Sequence, residues 1–301
     1  MKAYYTDHFV LPLPDGHRFP MEKYRLLRDY VSKTAGIELL EPRAASNMDL
    51  MRVHTEDYIQ AVSGGQLTTA QIREIGFPWS EEMVERSRRS AGATIEACLS
   101  AMKEGVSVNL AGGTHHAYAD KGSGFCVFND AAVAAKYVQN IKPTSVAIID
   151  LDVHQGNGTA ALLGQDPNCF TLSLHGEKNF PFRKEASHLD WGLIDGTSDQ
   201  EYLDILNQAL EYLEARFTPE LIIYLAGADP HEGDRLGRLK LTTEGMANRD
   251  RMVLDFANGH QCPIAIAMAG GYGHDIQTTV SVHAQTIQLA FEYHQKLRAN
   301  T

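Results

Sequence analysis

What most constrains this chain is a repeated pairing of short apolar runs with glycine-softened, chemically armed turns. The runs Val106–Leu110, Val146–Ile149, Phe170–Leu174, Leu221–Leu225 and Ile264–Met268 are partly β-branched and have the length of buried strands, too short for helices. Helical patterns lie between and around them. They are Glu22–Val31, Glu81–Met102 with Ser80 as N-cap, Ala131–Gln139, a stretch opened by a capping-box pair Ser198 and Glu201, Glu244–Asn258 with Gly259 just past its end, and Val280–Lys296. Strands alternating with helices predict an α/β fold with one mostly parallel sheet covered by helices on both faces. No repeat, low-complexity tract or Pro/Ser-rich linker divides residues 1–301, so a single domain is expected. On the surface of Val280–Lys296, the apolar Val282, Ile287, Leu289, Ala290 and Tyr293 are read as core.

In an open parallel sheet, ligands bind outside the carboxyl ends of the strands. Four runs deliver polar turns to that edge: Ala111-Gly112-Gly113-Thr114-His115-His116, Asp150-Leu151-Asp152-Val153-His154, Ala226-Gly227-Ala228-Asp229 and Ala269-Gly270-Gly271-Tyr272-Gly273. Asp152 and His154, two apart in an extended segment, point to the same side and can reach one ion. Asp229, at the end of another strand, completes a set of one imidazole and two carboxylates, which leaves a coordination position open as catalytic zinc requires. His115 and His116 diverge as chain neighbours, so they suit proton transfer better than joint ligation. Asp150 and Asn157 flank the ligand pair and are the candidates to orient those imidazoles. Tyr272 sits between two glycines, where backbone freedom lets a phenol approach a ligand closely.

Composition narrows the function classes. With 27 Lys+Arg against 38 Asp+Glu the formal charge is −11, and 44% of residues are hydrophobic, which excludes a basic nucleic-acid binder and a disordered chain. No apolar run approaches the ~18 residues a membrane span needs, and polar residues interrupt the N-terminus before a signal-peptide core develops. The four cysteines are widely spaced, which fits a reduced, cytoplasmic setting.

The chain resembles the zinc-dependent histone deacetylases and their bacterial deacetylase-like relatives of the arginase/deacetylase fold. The resemblance rests on blocks in the family's order: Gly112-Gly113-Thr114-His115-His116, Gly124-Phe125-Cys126-Val127-Phe128-Asn129-Asp130, Asp150 through Gly158, Ser173-Leu174-His175, Gly227-Ala228-Asp229 with Gly233-Asp234-Arg235-Leu236-Gly237, and Gly270-Gly271-Tyr272. Gln155 and Asn157, where the class I pattern has His and Asp, look most like the class IV branch.

The resemblance implies a deacylase acting on acylated lysine peptides or related acylated amines. Asp152, His154 and Asp229 would bind zinc, with iron(II) as the alternative metal; His116 would be the general base, His115 its electrostatic neighbour, Asp150 the orienter of His115 and Asn157 the partner of His116. Tyr272 would hydrogen-bond the substrate carbonyl beside Gly270 and Gly271. Gly124 and Phe125 would wall a narrow acyl-lysine channel, opposite Phe180 or Phe182. Asp150, Ser173 and backbone carbonyls near Asp152, His154 and Leu174 would hold potassium. The loop Gly64–Ser80 is expected at the rim, its Trp79 either a substrate contact or a packed aromatic.

Two other readings stand beside this one. A two-metal ureohydrolase of the arginase type needs a third carboxylate in D-x-H-x-D, and Gly156 occupies that position. A non-catalytic acyl-lysine-binding module would not require the full set of ligands, histidines and tyrosine. The acidic net charge favours a cationic substrate at long range. Nothing in the sequence fixes an oligomeric state.

Overall fold

The computed structural model describes residues 1–299. Eight parallel strands form one sheet: β1 (Lys2–Tyr4), β2 (Glu38–Leu40), β3 (Val106–Asn109), β4 (Val146–Asp150), β5 (Cys169–Gly176), β6 (Leu189–Leu193), β7 (Leu221–Leu225) and β8 (Ile264–Ala267). Their spatial order is β2-β1-β3-β8-β7-β4-β5-β6. The five apolar runs are the five contiguous central strands β3, β8, β7, β4 and β5. The three strands absent from the sequence reading lie toward the edges. β1 and β2 have three residues each, and β6, Leu-Asp-Trp-Gly-Leu, is an edge strand with mostly half-buried residues.

Among the described residues ten helices accompany the sheet: α1 (Glu22–Val31), α2 (Asn47–Leu50), α3 (Glu56–Ser63), α4 (Thr69–Ile75), α5 (Glu81–Glu104), α6 (Asp130–Ile141), α7 (Asn157–Leu163), α8 (Asp199–Glu214), α9 (Thr243–Gly259) and α10 (Ile276–Ala299). Side chains alternate across each strand, so both faces are buried. Ala147, Ile149, Ile222, Tyr224 and Ile266 pack with Leu27 of α1, Leu206 of α8, Val253 of α9 and Ile287 of α10. Val146, Ile148, Leu221, Ile223 and Ala265 pack on the other face with Ile59 of α3, Ile95 of α5 and Val133 of α6. Val282, Ile287, Leu289, Ala290 and Tyr293 of α10 are all buried, as expected of core.

Three local expectations need correcting. Ser198 stands at the N-cap of α8 without a side-chain cap bond. The neighbouring Asp199 instead accepts from the backbone N and the hydroxyl of Thr242, which is itself the N-cap of α9, so the acid ties two helix starts together. Gly259 lies inside α9, whose cap is His260, and the left-handed residue is Gln261. The stretch 64–80 is not a plain loop. It contains α4, opened by a Thr68–Gln71 capping box and ended by Gly76 in the left-handed conformation.

Candidate metal centre and active site

Because all strands are parallel, the turns after β3, β4, β7 and β8 open at one edge, and the order β3-β8-β7-β4 makes them neighbours. The ligand atoms of Asp152, His154 and Asp229 all lie within 4.8 Å of one another, and all three residues are buried. His154 Nδ1 lies 3.0 Å from Asp152 Oδ1 and 3.3 Å from Asp229 Oδ2. Backbone donors hold the carboxylates in place: Gly270 N donates to Asp152 Oδ2 at 2.7 Å, and Val153 N to Asp229 Oδ1 at 2.9 Å. A Cβ at Gly270 would fall on both carboxylates, so only glycine closes the site this tightly.

The electrostatics of this trio call for a cation. Burial pushes Asp229 up to about 7, with Asp152 adding to it, whereas His154 is raised to about 10 because Asp152 and Asp229 outweigh its burial. Asp229 Oδ2 is buried and makes no hydrogen bond. Two buried carboxylates and one imidazole, with an oxygen that accepts no good hydrogen bond, fit a divalent N/O-seeking metal. Beneath them lies Arg249, fully buried, a residue the sequence reading missed. Its Nη1 donates to Gly227 O at 2.6 Å and to Leu151 O at 3.3 Å, bracing the two turns that carry the ligands. Its charge is met by Asp250 at 2.8 Å, which also accepts from Tyr224 and Thr286.

His115 and His116 sit side by side with ring centroids 4.1 Å apart. Their Nδ1 atoms have different partners, Asp150 Oδ2 at 2.6 Å for His115 and Asn157 Oδ1 at 2.7 Å for His116. Burial opposes charge on both, but the Asp150 and Asp152 carboxylates override it at His115 and raise it to about 9. Burial, then the neighbouring His115 and His154, hold His116 well below the ordinary imidazole range. The expected neutral partner of His116 is in place and leads further outward. Asn157 Nδ2 donates to the Tyr118 hydroxyl at 2.9 Å, and that hydroxyl donates to Glu185 Oε1 at 3.1 Å. Gln155 clamps the Glu185 backbone from both sides. The turn bearing the pair is fixed by Asp130, which accepts from Gly113 N and Thr114 N at 3.0 and 2.7 Å.

Tyr272 closes the constellation, its ring centroid 6.4 Å from that of His154. Asp234 Oδ2 accepts from Tyr272 N at 2.6 Å and Arg235 Nε donates to Tyr272 O at 2.9 Å, so the Gly233–Gly237 block acts as a clamp, a role not read from the sequence. Lys23, buried in α1, donates to the carbonyls of Ala269 and Gly271 from the other side. Gly271 is turned away from the cavity and packs toward Thr279 and Ala228, so of the two expected substrate-contacting glycines only Gly270 lines it.

Gly124, Phe125 and Phe180 line the cavity beside His116 and Tyr272. Gly124 adopts φ 52°, and a Cβ there would meet His116 and Phe180 at 2.8 and 2.9 Å. Phe125 lies 6.0 Å from the Tyr272 ring, and Phe180 stands edge-on to His116 at 4.9 Å. Of the two candidates for the opposite wall, Phe180 is therefore the inner one, and Phe182 is 87% exposed at the outer mouth. Trp79 packs against Gly65 and donates to Val62 O at 2.7 Å, which makes it a packed aromatic. Asp150 is paired in register with Ser173, whose hydroxyl lies 3.0 Å from His175 Nδ1, and Leu174 is fully buried beside them.

Residues 17–287 match the histone deacetylase domain model. An uncharacterized protein of Picosynechococcus sp. is 42% identical over 284 residues, covering 93% of this chain and 95% of the relative. Histone deacetylase 2 of Arabidopsis thaliana is 32% identical over 286 residues, covering 90% and 73%. A crystal structure of an HDAC homologue complexed with SAHA superimposes with a TM-score of 0.84 at 25% identity, covering 97% of this chain and 84% of that one. The eight-stranded parallel sheet and the family match agree, and the chain belongs to the histone deacetylase family.

Proposed function

We propose that the chain, as one catalytic domain, is a zinc-dependent deacylase that hydrolyses the side-chain amide of acylated lysine in peptides, or of related acylated amines. The observation that carries this is the convergence of the Asp152–His154–Asp229 trio with His116, whose ring centroid lies 6.0 Å from that of His154, and with Tyr272. A zinc ion held by those three residues, with iron(II) as the alternative, would supply Lewis acidity to the amide carbonyl and acidify a water molecule. The chain's own groups do the rest. His116, kept neutral, takes the proton of the attacking water at Nε2, because Nδ1 is committed to Asn157. The Tyr272 hydroxyl donates to the carbonyl oxygen as charge develops there. As the C–N bond breaks, the proton on His116 passes to the departing lysine nitrogen, leaving a carboxylate and a free amine. His115, cationic beside Asp150, stabilises the negative charge of the intermediate without exchanging a proton. Potassium near Asp150, Ser173 and the Leu174 carbonyl belongs to the same reading, as does a cytoplasmic setting.

The ureohydrolase reading has little room. At Gly156, where a second metal would need its carboxylate, a Cβ would fall on Asp150 Oδ2. The deciding experiment compares acetyl-, decanoyl- and myristoyl-lysine peptides and acetylpolyamines on zinc-loaded protein, with SAHA as competitor and metal content measured in parallel. Hydrolysis lost in Asp229→Asn is the expected result. Zinc-loaded protein inert on every substrate would mark a binding module, and two bound manganese ions per chain would revive the ureohydrolase.

A further inference from the structure

The chain as a whole and the mouth of its active site carry charge of opposite sign. Acids outnumber bases overall, giving −11. The outer mouth, about 560 Å³ in volume, is lined by Arg18, Arg73, Lys178 and Arg238, with Glu74 as its one carboxylate. Glu74 is already matched by Lys121 at 3.0 Å, and Arg238 by Asp195 at 3.1 Å. Arg18, Arg73 and Lys178 are exposed and form no ion pair among the described residues.

The segments bearing these three cations are anchored to the channel by backbone contacts. Arg73 lies on α4, whose end accepts from the channel wall: Gly124 N donates to Glu74 O at 3.0 Å and Phe125 N to Ile75 O at 2.7 Å. Arg18 O accepts from Arg235, the residue that also clamps Tyr272. Lys178 precedes Asn179, whose side chain donates to Leu236 O at 2.7 Å. The backbone thus sets three cations around one opening, and among the described residues no carboxylate pairs with them.

We propose that the mouth selects acyl-lysine segments with Asp or Glu within a few positions of the acylated lysine, and disfavours lysine-rich tails and acylated polyamines. This rests on the deacylase reading above and names its substrate class. Magnitudes decide between the two opposed fields. At physiological salt the Debye length is about 8 Å, so a peptide seated in the mouth feels the cations lining it, and the acidic body acts on approach alone. The net charge read from composition therefore points the wrong way for substrate. A free ammonium of a polyamine, or a neighbouring lysine of a basic tail, would emerge among like charges.

The test uses three peptides with one acetyl-lysine centre and acidic, uncharged or basic flanks, on the full chain. Hydrolysis and fluorescence anisotropy are read at about 50 mM and about 500 mM salt. The acidic peptide is expected to exceed the basic one in kcat/KM by on the order of tenfold at low salt, carried by KM, and the gap to shrink at high salt. In the Arg18→Gln/Arg73→Gln/Lys178→Gln variant the acidic peptide should fall to the level of the uncharged one. Arg73→Glu alone, on the exposed face of α4, gives the same readout should the triple variant lose its fold. Basic flanks that equal or surpass acidic ones at low salt, or an acid preference that survives these substitutions, would overturn the proposal. If no peptide is hydrolysed the deacylase reading fails, and anisotropy alone still decides the preference of the mouth.

Discussion

His54 makes a sharp test of how the histidine turn is supported. It is buried, its Nδ1 lies 2.8 Å from Tyr118 O, and its Nε2 accepts from Asn129 N at 3.0 Å. Those partners admit one neutral tautomer, with the proton on Nδ1, because a second proton on Nε2 would face the Asn129 N–H. Asn129 caps α6 and its amide donates to the carbonyls of His115 and Ala117, so His54 supports the turn that carries the histidine pair. Burial lowers its pKa from 6.5 to about 4. Between those values the unfolded chain binds the proton and the folded chain does not. The contribution of His54 is thus complete above pH 6.5 and is lost as pH falls toward 4. Linkage puts the loss at about 2 kcal/mol by pH 5 and about 3 kcal/mol by pH 4. Urea unfolding of the native chain and of His54→Gln, from pH 7.5 down to 4, reads it directly. Near pH 7.5 the variant should be weaker by about 1–3 kcal/mol, the cost of a buried unmatched group, and that gap should close as pH falls toward 4. Its decline with acid should be shallower than the native one by the amount above. Parallel stability curves for the two proteins would refute the reasoning.

Three further substitutions probe the groups around the metal centre. Tyr272→Phe should reduce turnover by about 10²–10³ with zinc content unchanged, the scale of one oxyanion donor, and full turnover would remove the hydroxyl from the reaction. Asp234→Asn weakens the charge-assisted bond to Tyr272 N and should cost about 10- to 100-fold in kcat with the same unfolding midpoint; a loss confined to stability would make the clamp structural only. Arg249→Leu leaves Asp250 buried and unpaired and should cost about 3–5 kcal/mol in denaturant unfolding, which Asp250→Asn in the same chain should partly restore.

The parts of this molecule legible in its sequence are those whose signal is local. The central strands are apolar on both faces, so five short runs stand out, whereas β1, β2 and β6 are too short or too polar to do so. The candidate metal ligands, the histidine pair and Tyr272 each lie in the turn after one of those runs, and their order along the chain is part of the family resemblance. The groups that hold them there leave no such trace. Lys23 grips carbonyls 246 and 248 positions away, Arg249 reaches Leu151 across 98, and His54 reaches Asn129 across 75. Each is one polar residue in a helix or turn whose partner is a backbone group, and backbone groups have no sequence identity to read. Asp234 and Arg235 belong to the Gly233–Gly237 block, but only the structure shows that they clamp Tyr272. At α4 the signal was present, since Thr68 and Gln71 form the capping box and Gly76 the left-handed stop.

The difference between Asp150 and Asn157 explains how two touching imidazoles divide their work. With centroids 4.1 Å apart in a buried site, both cannot carry charge, so the site must decide which one does. A carboxylate directly on His115 Nδ1 stabilises its cation. On His116 the same position is taken by a neutral amide oxygen, which fixes the tautomer but adds no full charge against burial and the neighbouring cations. The nearest carboxylate along that path, Glu185, is removed by two hydrogen bonds through Asn157 and Tyr118. An aspartate at 157 would offer His116 the same support that Asp150 gives His115 and blur the distinction. With asparagine there, His115 is held toward its cation and His116 toward its neutral form, which supports the proposed division between electrostatic neighbour and base.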